Sequence, residues 1–328
     1  MQEMNWMELF KEAVWLPVAY LFDPARRVFI GYLLMSGLIG LCLFYFVHGK
    51  SFAESWRELF AKRNWWSGSA RTDYGLFFIG LCFKAVCIVP YLSVGSMLAY
   101  ALSMQLTEWL GPRPDASSSL WVAFCYPVVL FLVKDFFVFV THYYLHRNRY
   151  LWEFHKVHHS ATVMNPFTLY RMHPVEILLQ NLQGMAAFVL VTGFFFYFNN
   201  HLVARATIWG VNSFSFLFFM AGANLRHSSV PLKYPRWLEV VLMSPYQHQI
   251  HHSDEARFCH SNFGSRLAIW DYWCRTWVRS VDCPEKDLHF GLPGRGLHAS
   301  NTIAGNLLSP FKGCVALLRG SGCRIRRR

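Results

Sequence analysis

Three short clusters of histidine carry the most specific chemical signal in this sequence. They are His142-x3-His146, His155-x2-His158-His159 and His248-x2-His251-His252, eight imidazoles in an otherwise apolar chain. Neutral imidazole is a common ligand of iron, copper, nickel and zinc. Residues three or four positions apart share one face of a helix, so each cluster can present its rings side by side. Eight ring nitrogens exceed the usual coordination number of one ion, and two metal ions are therefore predicted.

The type of ligand leaves the identity of the ions open. No Asp or Glu lies inside the three clusters in register with the histidines, which differs from the Glu-x-x-His pattern of soluble di-iron bundles. Imidazole also suits zinc, but zinc has no redox chemistry. An oxidising function therefore requires iron, whereas a structural function is compatible with zinc.

The composition predicts a membrane protein. The 328 residues are 54% hydrophobic and 15% charged, and their mean hydropathy is +0.23. Soluble domains carry about 25% charged residues. A bilayer core needs roughly 20 apolar residues in a helix, and the candidate spans are Val28–Val47, Tyr74–Leu102, Leu120–Val140, and a hairpin of Ile177–Phe198 and Ala206–Ala221. Met4–Phe22 mixes apolar and charged residues and is predicted to be an interfacial helix.

The distribution of charge predicts the orientation of these spans. The formal net charge is +12, and the loop at 48–73 holds five Lys and Arg residues, whereas the loop at 103–119 holds only Arg113. Positive loops face the cytoplasm, so the first loop is expected there. Both histidine-rich segments then fall on the cytoplasmic side. The net charge favours contact with anionic lipid over nucleic acid.

The predicted fold is an all-α, polytopic membrane bundle of about four to five spans with a cytoplasmic helical cap. Residues 1–119 are expected to hold the interfacial helix and the first two spans, 120–280 the catalytic domain, and 281–328 a basic tail. The nine cysteines include no CxxC pair, and free thiols are favoured over a disulfide framework.

Further motifs around the histidines carry a family resemblance. They are Arg171-x-His173-Pro174, Asn224-x2-His227, Asn262-Phe263-Gly264 and Trp270-Asp271, together with Arg147, Trp152, Lys156 and Ser160 beside the clusters. Over roughly residues 120–278 the chain resembles the fatty acid hydroxylase and sterol desaturase superfamily of membrane di-iron enzymes. The resemblance implies an oxygen-dependent di-iron centre with mainly histidine ligands. The sequence departs from the family's Phe-Gly-Thr ending after Asp271, which weakens inference about the substrate.

The same resemblance suggests roles for residues outside the three clusters. It makes His227 a ninth ligand, and His173 either a further ligand or a neighbour of the ligands. His260 is a weaker candidate. Asp135 lies seven residues before His142 and so shares its helix face. It is expected either to accept a proton from a ligating histidine or to pair with Lys134 or a nearby Arg.

The predicted function is a membrane di-iron monooxygenase that uses O2 to hydroxylate a lipid at an acyl chain, a sterol or a head group such as that of an aminolipid. A desaturase or methyl oxidase with the same site is the enzymatic alternative. A non-catalytic metal-binding or metal-transport protein is the alternative of a different class. The sequence shows no dinucleotide, ferredoxin or haem motif, so the electrons are expected from a separate ferredoxin, cytochrome or reductase. The expected location is a bacterial inner membrane.

Overall fold

The computed structural model describes residues 15–111, 120–198, 207–208, 211–292 and 302–320. Four of its helical segments are long and apolar enough to cross a membrane: Ile30–Val47, Gly68–Leu110, Phe124–Arg147 and Pro174–Phe198. Apart from one pair of two-residue strands, the regular structure of the described residues is helical. The predicted helical membrane fold is thereby confirmed.

The helices are numbered here in chain order. The first half contains α1 (Ile30–Cys42), α2 (Phe52–Leu59), α3 (Lys62–Trp65), α4 (Gly68–Cys87), α5 (Leu92–Leu110), α6 (Leu120–Arg147) and α7 (Arg149–His159). The second half contains α8 (Pro174–Phe198), β1 (Thr207–Ile208), β2 (Val211–Asn212), α9 (Ser213–Met220), α10 (Arg236–Glu239), α11 (Pro245–His251), α12 (Ile269–Cys274) and α13 (Ile303–Leu318). Short 3-10 turns at Pro166–Tyr170 and Ala223–His227 join the histidine-bearing elements.

Small residues allow α5 and α8 to pack closely in the apolar bundle. Gly95, Ala99 and Ser103 recur every four residues and form the buried stripe of α5. A Cβ atom on Gly193 of α8 would lie 2.9 Å from the carbonyl oxygen of Ala99, so the two backbones approach closely there. Such stripes of small residues are a common device for helix association in membranes. Helix α8 also packs on α6, so it connects the bundle to the first histidine cluster.

Helix α1 lies alongside the segment that carries His227. Near its N-terminal end, Arg27 donates hydrogen bonds to the Ala223 carbonyl and the Asn224 side chain. Near its other end, Phe44 packs in a core cluster with Leu225 and Val230. Both ends of α1 therefore lie beside the 223–230 segment, which places Arg27 close to the histidines.

A buried ion pair fastens the second histidine cluster to α4. Arg171 is fully buried, and its Nη1 atom lies 2.9 Å from Oδ1 of Asp73. The same guanidinium donates to the Val157 carbonyl and to Oγ of Ser160 at the C-terminal end of α7. Charge-assisted bonds of this kind are stronger than neutral ones. They fix the position of α7 against the rest of the cap.

The prediction that Ala206–Ala221 forms the second helix of a hairpin is wrong. The strands β1 and β2 pair with each other, and α9 begins only at Ser213. The reason is local, because the Asn212 side chain accepts a hydrogen bond from the Ser215 backbone and caps the helix there. The outer turn around His201 lies outside the described residues.

The segment predicted to be a basic tail contains a packed helix. Helix α13 is capped by the Thr302 hydroxyl and lies against α7. Its Asn306 accepts a hydrogen bond from Ser160, and Phe311 packs on Phe154. Of the predicted interfacial helix, residues 15–22 are helical, and the remainder lies outside the described residues, as do the terminal arginines.

Candidate metal centre

Local capping signals set where the histidine-bearing helices begin. The Asn148 side chain accepts from the backbone N–H groups of Tyr150 and Leu151 and starts α7. Ser244 and Gln247 form a reciprocal capping box at the start of α11, followed by Pro245 in the first turn. These caps fix the rotation of each helix, and therefore the direction in which its histidines point.

Nine imidazoles converge in the structure as two separate groups. We call the first the five-histidine group; it consists of His142, His146, His155, His159 and His251. The four-histidine group consists of His158, His227, His248 and His252. Within each group, one ring nitrogen of every member lies within 4.8 Å of those of all the others. The groups are neighbours, since the rings of His159 and His252 stack with centroids 4.4 Å apart.

The two HxxHH clusters divide their histidines between the groups in opposite ways. His155 and His159 join the five-histidine group, whereas His158 between them joins the other. His248 and His252 belong to the four-histidine group, whereas His251 belongs to the five-histidine group. Helix geometry explains the pattern, because positions i and i+4 are about 40° apart around the axis, while i+3 lies about 60° from i on the other side. Each cluster therefore links the two groups.

The spacing of the nitrogens fits ions held by several imidazoles. A nitrogen ligand lies about 2.0–2.1 Å from an ion such as zinc, which separates adjacent ligands of one ion by roughly 3.0–3.4 Å. The Nε2 atoms of His142 and His155 are 3.1 Å apart. In the four-histidine group the Nε2 atom of His227 lies 3.4 Å from that of His158 and 3.2 Å from that of His248. The donor sets therefore fit two metal ions.

Burial keeps the histidines in the form that binds metal. It lowers the pKa of His155 and of His158 to about 3, in the latter case with a further contribution from His155. Burial and the neighbouring rings also lower the pKa values of His227, His248 and His252 well below the usual range. Imidazoles with these pKa values are neutral at pH 7, and the neutral ring is the ligand.

Three rings of the five-histidine group are oriented by protein acceptors. The Nδ1 atom of His155 lies 2.9 Å from Oε1 of Glu176, and both side chains are buried. The Nδ1 atoms of His142 and His251 donate to the backbone carbonyls of Phe263 and Ser261 at 2.8 and 2.6 Å. Such contacts fix the tautomer and direct Nε2 to the metal.

The rings of the four-histidine group have fewer such partners. Among the described residues, no hydrogen-bond acceptor contacts the buried Nδ1 atoms of His227, His248 and His252. The Nδ1 atom of His158 is likewise without a hydrogen-bond partner among the described residues. Other contacts hold the chain segments that carry these rings. Gln249, for example, donates from Nε2 to the carbonyls of Leu225, Ser228 and Val230 and so secures the His227 segment.

The Asn262-Phe263-Gly264 turn contains the Phe263 carbonyl, which accepts the hydrogen bond from Nδ1 of His142. Asn262 has a positive φ of 53°, and its side chain bonds to the backbone of Gln247 and Val278. The carboxylate of Asp271 accepts from the N–H groups of Phe263 and Gly264. A Cβ atom at Gly264 would clash with the Leu267 carbonyl oxygen, so no residue with a side chain fits there without a shift of the backbone. The motif therefore acts as a brace for the five-histidine group.

Asp135 helps to hold the same region. Among the described residues, it forms no hydrogen bond with a histidine. Its two buried oxygens accept from the backbone N–H groups of Arg266 and Leu267 and from the indole of Trp270. Nη1 of Arg266 lies 3.6 Å from Oδ1. Of the two roles left open by the sequence, the geometry matches pairing with a nearby Arg, and it adds anchoring of the 266–270 segment.

The structure does not bring His173 or His260 into either group. The Nε2 atom of His173 lies 3.2 Å from the Leu307 carbonyl, and Nδ1 accepts from the N–H of Val175. Its ring also packs against Phe311, so His173 joins α13 to the start of α8 instead of ligating. His260 is exposed, with its ring centroid 6.0 Å from that of His146.

Sequence reasoning missed Glu176 and the contribution of α13. Glu176 lies in an apolar run three residues after His173, and its burial against His155 depends on the packing of α7 on α8. An isolated carboxylate in an apolar stretch is a signal that could have identified it. For α13, the signal was Thr302 followed by the apolar run Ile303–Leu318.

An apolar cavity of about 370 Å³ ends at the segment that carries His227. The cavity is lined by Ile30, Leu33 and Leu34 of α1 and by Trp56 and Trp65. Its lining also includes Asn224, Leu225, Ser228 and Ser229, which flank His227 in the chain. The cavity therefore joins the apolar surface of α1 to the neighbourhood of the four-histidine group.

Comparison with known proteins matches this part of the chain to one family. Residues 127–276 match the family model described as fatty acid hydroxylase. They begin inside α6 and end just after α12, and they contain all nine histidines of the two groups. The family resemblance inferred from the motifs is thereby confirmed for residues 127–276.

One curated relative is the ornithine lipid hydroxylase OlsE of Rhizobium tropici. The two sequences are 26% identical over 181 residues, which are 55% of this chain and 47% of that protein. The chain thus spans about half the length of this relative. No solved structure matches the chain.

Proposed function

We propose that this protein is a membrane di-iron monooxygenase that hydroxylates a lipid. The observation that carries the proposal is the convergence of nine imidazoles into two adjacent groups of five and four. The family match adds hydroxylation as the class of reaction, and the name of the curated relative adds a lipid as the class of substrate. Neither group includes a carboxylate or thiolate.

In this proposal each histidine group holds one iron ion. The two ions would supply the oxidising power needed to convert a C–H bond, O2, two electrons and two protons into a C–OH group and water. The protein's own contribution is to hold the ligand rings in place. Glu176 and the carbonyls of Phe263 and Ser261 fix the Nδ1 protons, so the Nε2 atoms of three rings are directed inward.

The apolar cavity is proposed to receive the lipid. Its lining is mostly apolar, and part of it comes from α1, which is apolar enough to lie within a membrane. A lipid chain could therefore leave the bilayer along α1 and reach Ser228 and Ser229 without exposure to water. Burial of each methylene contributes about 0.8 kcal/mol, so such a route favours long-chain substrates.

We also propose an orientation of the protein in the membrane and a class of electron donor. The excess of Lys and Arg in the loop at 48–73 supports a cytoplasmic active site in a bacterial inner membrane. The basic surface of the protein would suit an acidic ferredoxin, cytochrome or reductase as the source of electrons.

The test combines lipid mass spectrometry with metal analysis. Cells that express the protein together with a competent electron donor should accumulate a lipid that is heavier by one oxygen atom, about 16 Da. The purified protein should contain about two irons per chain, one for each histidine group. A lipid lighter by two hydrogens would instead identify a desaturase. Bound zinc without any lipid change would contradict the proposal.

A matched pair of variants makes the test specific. His251→Ala removes a member of the five-histidine group, and His48→Ala removes an exposed histidine outside both groups. The lipid product should disappear in the first variant and persist in the second.

A further inference from the structure

Three arginines meet beside the four-histidine group, over two consecutive aromatic rings of α9. The guanidinium carbon of Arg226 lies 4.8 Å from the ring centroid of Phe218. Those of Arg27 and Arg266 lie 4.9 and 5.5 Å from the ring centroid of Phe219. We call Arg27, Arg226 and Arg266 the arginine cluster. It comes together from three distant parts of the sequence, so its assembly depends on the tertiary fold.

Within the described part of the chain, the groups around the arginine cluster do not balance its charges. Arg226 is only 3% exposed, and its Nε and Nη2 atoms have no hydrogen-bond partner among the described residues. The Nε atom of Arg266 is likewise unpartnered. Asp135 is the carboxylate beside Arg266, and both of its oxygens already accept backbone N–H groups. Among the residues that the structure describes, the three arginines therefore have one neighbouring carboxylate, Asp135.

Burial makes this imbalance unfavourable. An unpaired guanidinium is costly to bury, and buried charges are normally paired. The free donors of Arg226 and Arg266 are therefore suited to an anion that the protein itself does not supply.

The position of the cluster relates it to the cavity and to the histidines. Arg226 directly precedes His227, a member of the four-histidine group. Arg27 donates from Nε to Oδ1 of Asn224, which lines the apolar cavity. A molecule with a long apolar chain in the cavity could thus place a charged end at the arginine cluster.

We propose that the arginine cluster binds the anionic head group, a carboxylate or a phosphate, of the lipid whose chain occupies the cavity. The planar fork of a guanidinium matches both anions with paired hydrogen bonds. This inference rests on the proposed function, because it takes the occupant of the cavity to be a lipid. It restricts the substrate class to lipids with an anionic group, and it makes Arg226 the residue on which recognition depends most.

The test compares binding of two probes with the same chain. Native mass spectrometry of the detergent-solubilised, metal-loaded protein would measure the binding of oleate and of its uncharged methyl ester. The protein should bind oleate at least about tenfold more tightly, since charge-assisted hydrogen bonds are the stronger class. Arg226→Gln and Arg266→Gln should each reduce this preference. Arg236→Gln, which changes an exposed arginine, should retain it.

Several results would overturn the proposal. One is equal binding of oleate and its methyl ester by the unaltered protein. Another is an undiminished preference in both Arg226→Gln and Arg266→Gln. A third is that acetate or inorganic phosphate binds as tightly as oleate, which would indicate a site for a free anion. Arg226→Lys, which retains the charge, provides a variant for comparison if Arg226→Gln does not fold.

The experiment distinguishes failure of the arginine proposal from failure of the proposed function. Binding is measured without turnover, and metal content is determined for every variant. A protein that hydroxylates lipids but shows no preference for oleate would contradict only the arginine proposal. A protein that prefers oleate but oxidises no lipid in the presence of an electron donor would contradict only the proposed function.

Discussion

The two histidine groups differ in how firmly the protein holds their rings. In the five-histidine group, Glu176 and the carbonyls of Phe263 and Ser261 each receive an Nδ1 proton. In the four-histidine group, the Nδ1 atoms of His227, His248 and His252 have no such acceptor among the described residues. Two sites with the same type of ligand can therefore differ in preorganisation, because the Nδ1 atoms of one site have more hydrogen-bond acceptors than those of the other.

This difference has a direct consequence for metal affinity. A ring whose tautomer and direction are already fixed loses little freedom on binding, and an anionic acceptor such as Glu176 also increases its basicity. The five-histidine group has both advantages and one more ligand. We therefore expect it to hold its metal more tightly than the four-histidine group.

The largest expected effects come from removing a ligand of either group. His248→Ala leaves three imidazoles in its group, so the metal content should fall from about two ions per chain to about one. His251→Ala leaves four imidazoles, and its metal loss should be smaller. Lipid hydroxylation should fall to background in both, since both ions are needed. Elemental analysis and product mass spectrometry measure the two effects.

His48→Ala should change neither quantity and serves as the control for both variants. Two retained ions together with normal product in His248→Ala would show that the four-histidine group is not a metal site.

A chelator should empty the two groups in sequence. Loss of contacts to ligating histidines typically lowers metal affinity by about 10–100-fold, so the two groups should differ by a similar factor. Bound metal plotted against chelator concentration should fall in two steps. The step at lower concentration should be missing in His248→Ala if it belongs to the four-histidine group. Loss of the other step in that variant would reverse the comparison.

The sequence predicts that the histidines of each cluster lie side by side, because helix periodicity is a local property. The spacing of His142 and His146 or of His248, His251 and His252 specifies which rings share a face. It did not predict how the rings divide into five and four, since that depends on how α6, α7 and α11 face one another. The sharing of each HxxHH cluster between two groups is a tertiary result.

The same limit explains the other differences between expectation and structure. The range Ala206–Ala221 is apolar throughout most of its length, but capping by Asn212 and pairing of β1 with β2 override that composition. His173 carries a motif of the family, yet Leu307 of α13 engages its ring. The excess charge of the arginine cluster was also invisible, because a lack of partners cannot be read from residue order.

Glu176→Gln should reduce the difference between the two groups. Glutamine retains an oxygen that can accept the Nδ1 proton of His155, but the negative charge is lost. We expect the affinity of the five-histidine group to fall by about tenfold, at the lower end of the range for such contacts. The two steps of the chelator titration should then move closer together.

Glu153→Gln provides a matched control, because Glu153 lies on α7 two residues before His155 and pairs with Lys156 instead of a histidine. An unchanged titration in Glu176→Gln would mean that the carboxylate does not support the five-histidine group.

Asp135→Asn should give the smallest change and decide the role of this residue. An asparagine would turn an N–H group toward donors that now meet a carboxylate, and such a mismatch costs about 1–3 kcal/mol of unfolding free energy. The 261–267 segment would be held less firmly, so the metal affinity of the five-histidine group should fall by a few fold. The chelator step of the four-histidine group should not move. Thermal unfolding and the chelator titration measure both effects. If the variant instead lost all hydroxylation with unchanged unfolding and both metals bound, Asp135 would act at the reaction itself, and its contacts with Arg266, Leu267 and Trp270 would not be its main role.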